Sequence, residues 1–450
     1  MTSSLGTTAE TSSALASRRE RALAAATRQG LLGPDAPIAA FLDLAGITET
    51  TTALREAFAP LGTVQHTFAA KACSLVPVLG LLAAQGIDVE VASPGETAIA
   101  EAAGLPGERL VLDSPAKTVG ELRHALASGT AINVDNVQEL DRLDALIGGS
   151  PPRSVLGIRV NPQVGTGTIG DTSTATGTSK FGVPLRDPGN RELLIELVSR
   201  RPWLTRLHVH VGSQGCPLDL IADGVAAVLG LAEEINHRLR RRQITSIDLG
   251  GGLPVNFADD RIDPSYTAYV ETLRERVPGL FTGDYTFVTE FGRSLLAKNG
   301  FMASKVEYTK IAGGRPIAVT HAGVQVATRT VMQPDLWPLR LGAFSAAGAP
   351  KQGPAVGQDI AGPCCFAGDV LAKNRPLPLL EPGDIVAAYD TGAYYFSAHF
   401  SYNSLPRPAV HGFTVADDGS VRFTTIRTRQ TLGELVRESG GAHATALLPT

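Results

Sequence analysis

Between about residues 50 and 300 the chain repeats one hydrophobic pattern. A short β-branched run is followed by a Gly or Pro break and then by a longer stretch with apolar positions at helical spacing. Such alternation predicts βα units and a parallel sheet. The predicted strands are His66 to Ala70, Asp88 to Ala92, Arg109 to Leu112, Ala131 to Val134, Val155 to Val160, Arg206 to Val211, Ser246 to Leu249 and Thr286 to Thr289, eight in all. Helices are predicted between them, among others Pro94 to Ala103, Thr118 to Ala127, Val137 to Ile147 and Leu218 to Arg241. Eight strands alternating with helices over roughly 250 residues have the size of a (β/α)8 TIM barrel, and an open doubly wound sheet is the alternative.

Beyond residue 300 the period changes. Short apolar runs (Pro316 to Thr320, Ile385 to Tyr389, Ala409 to Val415, Val421 to Arg427) are divided by Gly, Pro and Asp-Gly turns, and Asp417-Asp418-Gly419 is a hairpin signal. Residues 301–450 are therefore expected to form a C-terminal β-rich barrel or sandwich domain. At the other end, residues 1–16 are rich in Ser, Thr and Ala without apolar periodicity and are expected to be a mobile tail. A helix from Ser17 to Arg28 and a strand from Pro37 to Leu44 complete an N-terminal segment, 17–44, expected to pack on the β domain ahead of a barrel over 45–300.

Composition narrows the partner. The 450 residues are 43% hydrophobic and 19% charged, and 40 Lys plus Arg against 44 Asp plus Glu leave a formal charge of -4. No global basic field is available for a nucleic acid or an anionic membrane. The four cysteines include adjacent Cys364 and Cys365, with Cys73 and Cys216 far away, which is neither a disulfide framework nor a paired zinc spacing. No apolar run approaches the 18 or so residues that span a bilayer, and the N-terminus lacks a signal-peptide core. A soluble cytoplasmic protein with a small-molecule partner is expected.

In a parallel barrel the chemistry collects where strands end. Lys71 ends HTFAA; in a dry pocket its amine would form a Schiff base with a carbonyl cofactor, and in a loop it would be merely solvated. His210 ends RLHVHV and precedes Gly212 and Ser213. Alternation places His208 and His210 on one face, so a ring contact, a buried structural pair or a metal site are the readings. With no acidic residue beside them and no third histidine, metal is the weakest. Gly250, Gly251 and Gly252 follow SIDL and allow backbone N–H groups to wrap an anion, although turns use glycine equally. Glu290 ends YTFVTE ahead of Phe291, Gly292 and Arg293. Its carboxylate could hold a protonated ring nitrogen while Arg293 holds a phosphate, or the two could be a surface ion pair.

An ordered series of motifs runs through these positions: FAAKACS (68–74), VASPGE (91–96), INVDNVQELDRL (132–143), RVNP (159–162), SKFG (179–182), HVHVGSQ (208–214), DLGGGLP (248–254), EFGRS (290–294), GPCCFAGDVLA (362–372), DTGAYYFS (390–397) and YNSLPRP (402–408). From about Ile38 to Phe413 the chain resembles the fold-type III pyridoxal-phosphate decarboxylases, typified by diaminopimelate and ornithine decarboxylase, whose barrel is alanine racemase-like. The resemblance implies pyridoxal 5'-phosphate as cofactor and Lys71 as its Schiff-base lysine. It implies His210 as the residue stacked on the ring and Glu290 as the partner of the ring nitrogen. Ser213, Gly250 to Gly252, Gly292, Arg293 and Tyr394 would surround the phosphate. It also implies a homodimer with shared active sites, in which Cys365 reaches the other subunit's cofactor and, ahead of Lys71, is the leading acid for protonating the α-carbon. No metal is implied.

Two departures bear on the substrate. Diaminopimelate decarboxylases usually carry Cys-Glu-Ser, the Glu engaging the distal ammonium, where this chain has Cys365-Phe366-Ala367; a buried ammonium would lose its partner. The family's Asp-Ala-Gly…Arg-Pro…Tyr segment reads His321-Ala322-Gly323…Arg329-Thr330…Gln333, so Arg329 is kept for a distal carboxylate while the assisting tyrosine is absent. The expectation is decarboxylation of another, non-standard or carboxylate-bearing amino acid in specialised metabolism. The alternatives are meso-diaminopimelate decarboxylation in lysine biosynthesis, amino-acid racemisation or epimerisation, and a non-catalytic binding protein of decarboxylase shape.

Overall fold

The structure, a computed structural model, describes residues 3–149 and 151–448. The chain divides into two compact units, one built from residues 48–256 and 262–295 and the other from residues up to 47, 257–261 and 296 onward.

In chain order the strands begin with β1 (Ile38–Asp43), which belongs to the second unit. Then come β2 (Val64–Ala69), β3 (Asp88–Val91), β4 (Leu110–Asp113), β5 (Ala131–Val134), β6 (Leu156–Asn161), β7 (Val183–Pro184), β8 (Leu204–His208), β9 (Ser246–Asp248) and β10 (Thr286–Phe291). The hydrogen-bonded order β5-β4-β3-β2-β10-β9-β8-β6 is parallel throughout, and β5 pairs with β6 through Ile132 and Leu156. That last pairing closes the sheet. The first unit is an eight-stranded barrel, and the doubly wound alternative is excluded. β7 is a two-residue appendage on β6.

The helices start where side chains answer their unpaired N–H groups. Ser93 caps Pro94–Ala102 through Glu96 N, Asn136 caps Val137–Ile147 through Glu139 N, and Thr118 with Glu121 forms a capping box on Val119–Ser128. Glycines in the left-handed conformation, Gly129 and Gly148, end the last two. One side of each helix is buried: Ala100 on the first, Leu122 and Ala125 on Val119–Ser128, and Leu140 and Leu143 on Val137–Ile147.

The second unit contains β11 (Gly300–Ala312), β12 (Arg315–Thr320), β13 (Leu341–Phe344), β14 (Ala355–Ala361), β15 (Val370–Pro378), β16 (Ile385–Ala388), β17 (Ala409–Val415) and β18 (Val421–Arg427). β1 lies inside its sheet, antiparallel to β11 and parallel to β17. Phe41, Phe301, Phe344 and Phe413 form the core with Leu23 and Leu32, and the Phe41 and Phe301 rings stack at 5.0 Å. The N-terminal helix is held there by ions as well: Arg18 Nε donates to Asp43 at 2.6 Å, and Arg19 and Arg340 both bind Asp260. Those two arginines explain why 257–261 groups with this unit although the sequence rhythm placed it within the barrel stretch 45–300.

Three differences from the sequence reading stand out. The first helix runs from Ser3 to Arg28, where a tail was expected through residue 16; extending a helix already anchored by its second half adds a bond per residue without a new nucleus. β8 stops at His208, so His210 lies beyond the strand. β11, β13, β14 and β15 had no strand signal recognised in the sequence: the outer half of β11 is mostly exposed and polar, and Gly and Pro interrupt the others. Among the described residues no helix is long and apolar enough to cross a membrane.

Candidate active site

The carboxyl ends of the barrel strands gather charged side chains that the sequence scatters over 220 residues. Lys71 sits in the single 3-10 turn, Ala70–Ala72, that follows β2. Its Nζ lies 2.5 Å from Glu90 Oε2 on β3; Glu90 is fully buried, while the lysine side chain is 45% exposed. Of the two readings of Lys71, a dry pocket and a solvated loop, the surroundings match neither fully: the amine is half-exposed and is held by an ion pair to a buried carboxylate. Burial raises the Glu90 carboxyl above its usual range, with Lys71 opposing the shift and the nearby Glu290 and Asp113 adding to it.

Glu290, on β10, is likewise buried and accepts from Asn133 Nδ2 at 3.5 Å, while the same Asn133 amide donates to Asp248 at 2.8 Å. Burial first, and then the negative charge of Asp113, push the Glu290 carboxyl upward from 4.5 to about 7. Asp248 is pushed up to about 6 by burial and by Glu290. Asp113 behaves oppositely. Burial would raise it, but Arg159 Nη1, 3.0 Å away, and His208 hold it below the usual carboxylate range. The Arg159 guanidinium in turn lies 4.5 Å from the Phe181 ring centroid, which places the SKFG motif against RVNP.

His210 meets the glycine run directly, since Gly251 N donates to its Nδ1 at 3.1 Å. Burial and Arg159 keep its pKa well below the usual histidine value, so the ring is neutral with its remaining proton on Nε2. The glycines are required by close packing: a Cβ on Gly250 would lie 2.5 Å from Val209 O, on Gly251 2.2 Å from Glu290 O, and on Gly252 2.1 Å from Gly212 O. Gly250 and Gly252 also have φ of 66° and 105°. Ser213 follows His210 with its N–H donated to Thr172 O at 3.0 Å. Gly292 and Arg293 open the short helix Arg293–Leu296, with Arg293 buried. Phe291 fills a ring cluster with Phe58, Tyr266 and Tyr269 at centroid distances of 5.7, 5.0 and 5.6 Å.

The remaining predicted residues lie in the second unit. Arg329 has its guanidinium between Trp337 and Tyr394, 5.1 and 5.0 Å from their ring centroids, and Tyr394 has a φ of 68°. The exposed Cys365 has its N–H bonded to Asn403 Oδ1 at 2.7 Å, and Phe366 packs edge-on to Tyr402 at 5.3 Å.

These residues fit an aldehyde cofactor with a ring nitrogen and a phosphate. The barrel offers a primary amine at the rim, a neutral flat imidazole, a buried carboxylate, and a backbone turn too close for any Cβ. Residues 44–297 match the family model for the pyridoxal-dependent decarboxylases, in its pyridoxal binding domain. The chain belongs to that family. Pyridoxal-dependent decarboxylases that it resembles include the diaminopimelate decarboxylase of Pseudomonas fluorescens, 32% identical over 372 residues, 82% of this chain and 84% of that one. The diaminopimelate decarboxylase of Zymomonas mobilis is 30% identical over 377 residues, 82% and 84% of the two chains. Among solved structures, that of diaminopimelate decarboxylase from Helicobacter pylori complexed with L-lysine aligns with a TM-score of 0.78 at 25% identity, covering 90% of this chain and 97% of that one. The Vibrio vulnificus lysine/ornithine decarboxylase complexed with putrescine shares the fold, with a TM-score of 0.69 at 23% identity over 83% and 94% of the chains. The family uses pyridoxal phosphate, and the fold is the alanine racemase-like barrel with a β-rich second unit.

Sequence reasoning missed Glu90, Asp113, Asn133, Arg159 and Asp248 as site residues. It also held that no acid stands beside the histidines, whereas His208 has Asp113 and Glu290 within 3.8 and 3.4 Å. Both acids come from other strands, which no local spacing reveals. The available signal was a charge set inside an otherwise apolar strand, as in DVEV, GIRV and SIDL. His208, Asp113 and Glu290 together offer three donor atoms within 4.8 Å, but Arg159 already occupies Asp113.

Glu290 gives a pH test. Its folded pKa lies above the unfolded value, so its contribution to stability is present below about pH 4.5 and is lost as pH rises through about 7. Urea unfolding of the cofactor-free protein at pH 5 and pH 8 should show Glu290→Gln losing less stability over that interval than the wild type, by about 1–3 kcal/mol. Equal losses would mean that Glu290 is not raised.

Proposed function

We propose that the protein removes the α-carboxylate of an amino acid of the diaminopimelate type, with Lys71, His210 and Glu290 as the residues that hold the reacting cofactor. The observation that carries the reading is the convergence of Lys71, His210, Gly250 to Gly252 and Glu290 on one end of one barrel. Pyridoxal phosphate, when bound, supplies an aldehyde for the amine and a cationic ring that accepts the electrons released with CO₂.

Each residue has a task it can perform as placed. Lys71 brings an amine to the strand end, and Glu90 fixes its direction, can take the proton its ammonium must lose to bind the aldehyde, and can return one when an amino acid displaces it. His210 offers a neutral face, so stacking on a cationic ring brings no charge repulsion. Glu290 stabilises a proton on the ring nitrogen, and Asn133 and Asp248 set the orientation of its carboxylate. Ser213, Gly250 to Gly252, Gly292, Arg293 and Tyr394 are assigned to the phosphate, and Cys365, ahead of Lys71, to protonation of the α-carbon.

As substrate, meso-diaminopimelate has the support of the relatives' names, and this favours it over the specialised-metabolism reading of the sequence. One observation favours a second substrate, an amino acid with a distal carboxylate and no distal ammonium. Phe366 and Ala367 stand where the relatives' acid is expected, and the nearby Asp369 is committed to the N–H groups of Val324 and Cys364 at 2.6 and 2.7 Å. Arg329, steadied by Trp337 and Tyr394, would receive the carboxylate in either case. A homodimer, with Lys71 of one subunit working with Cys365 of the other, and a cytoplasmic location complete the proposal.

Two experiments test it. The protein with pyridoxal phosphate should release CO₂ from at least one member of a panel of L-, D- and meso-amino acids, and chiral analysis should show no racemisation. With meso-diaminopimelate, a kcat/KM of about 10⁴ M⁻¹s⁻¹ or more supports the first substrate. A much lower value that Phe366→Glu raises supports the second, and no CO₂ from any member contradicts the decarboxylase reading. Mixing inactive Lys71→Ala with inactive Cys365→Ala subunits should restore part of the activity; no recovery under demonstrated subunit exchange contradicts shared sites.

A further inference from the structure

His208 is buried at the centre of the barrel and is not among the residues that hold the cofactor. Its Nε2 lies 3.4 Å from Glu290 Oε2 and its Nδ1 3.8 Å from Asp113 Oδ1, and among the described residues neither nitrogen has a hydrogen-bond partner of ordinary geometry. Asp113 carries Arg159 on its other oxygen at 3.0 Å. Four groups from four strands are thus linked in series as a row of contacts, Arg159 on β6, Asp113 on β4, His208 on β8 and Glu290 on β10, with oxygens of Asp113 and Glu290 themselves within 4.8 Å of each other.

We propose that His208 is a positioning residue for Glu290, carrying an imidazolium charge that keeps the Glu290 carboxylate ionised and aimed at a protonated pyridine nitrogen. The inference rests on Glu290 facing that nitrogen.

Counting protons along the row decides the charge. Asp113, paired with Arg159, is an anion and therefore draws an N–H at Nδ1 of His208. A neutral imidazole so oriented presents a lone pair at Nε2, which is compatible only with a protonated, donating Glu290. Once a ring N–H faces Glu290, the carboxylate must be an anion, and the lone pair at Nε2 would repel it. One proton taken up at Nε2 removes that conflict and needs no other reactant. The row then alternates in charge from Arg159 through Asp113 and His208 to Glu290 and the ring nitrogen. Other groups act on the imidazole as well. Burial is the largest influence and, with Arg159, holds the cofactor-free imidazole below the usual histidine value against the opposing pull of Asp113 on β4, Asp248 on β9 and Glu90 on β3. A cation opposite Glu290 makes that carboxylate a lasting anion and so tips the balance toward the imidazolium.

The test uses holoenzyme made with ring-¹⁵N pyridoxal phosphate and with ¹⁵N-histidine protein, His208 being assigned among the nine histidines by its loss in His208→Gln. In the wild type both His208 nitrogens should carry protons from pH 6 to 8, and the ring nitrogen should be protonated. His208→Gln keeps an N–H donor but cannot hold charge. It should weaken proton affinity at the ring nitrogen about tenfold, a downward shift of one pH unit, and lower kcat about tenfold with KM within about threefold. Asp113→Asn should act in the same direction, and it supplies both assignment and test if glutamine is not tolerated. A His208 nitrogen without a proton in the holoenzyme, or an unchanged ring-nitrogen titration in the variants, overturns the inference. A ring nitrogen unprotonated already in the wild type overturns instead the role of Glu290 on which it rests.

Discussion

Four carboxylates, Glu90, Asp113, Asp248 and Glu290, face the interior of one closed barrel where water hardly reaches them. An isolated buried carboxylate is costly enough that it normally takes up a proton. The barrel answers them unequally: Arg159 keeps Asp113 charged, Lys71 faces Glu90, and Asn133 with Asp248 is left to share the burden of Glu290. The consequence in the cofactor-free barrel is a raised Glu290 carboxyl with no cation bonded directly to it among the described residues, although Lys71, Arg159 and Arg206 act on it. A protonated ring nitrogen placed at Glu290, as proposed, would supply a directly bonded positive charge, so that the same burial that destabilises the carboxylates would favour the cationic form of the cofactor.

The backbone is arranged around that constraint. The turn Gly250 to Gly252 runs so close to Val209, Gly212 and Glu290 that side chains are excluded. Close approach lets peptide N–H groups, which need no proton and lose no rotamer freedom, face an anion where Lys or Arg would add to a crowded charge set. The aromatic cluster around Phe291 holds the far side of β10 rigid beneath Glu290. The candidate site residues Lys71, His210, Gly250 to Gly252 and Glu290 are thus placed on strands and short turns of a packed barrel, while Arg329, Cys365 and Phe366 sit in the second unit.

The barrel was legible because its hydrophobic rhythm is strong, and seven of the eight predicted strands agree with the structure to within about two residues at each end. Lys71, His210, the glycine run and Glu290 were legible because each punctuates a strand end. The second unit was less so: β14 and β15 contain Gly357, Pro376 and exposed polar positions that break a period of two, and only hydrogen bonding to neighbours distant in sequence makes them strands. The acids beside His208 were hidden for the same reason. Asp113 and Glu290 are separated by more than 170 residues, and register between parallel strands, which no local motif encodes, sets them around one imidazole.

The whole mechanism depends on the amine at the end of β2 being the one that captures the cofactor's aldehyde. Reducing the protein with borohydride in the presence of pyridoxal phosphate, then mapping the labelled peptide by mass spectrometry, addresses this without reference to substrate. A single stoichiometric label on Lys71 within FAAKACS is the predicted result. A label on another lysine, or none at cofactor concentrations that saturate the protein's absorbance change, would contradict it.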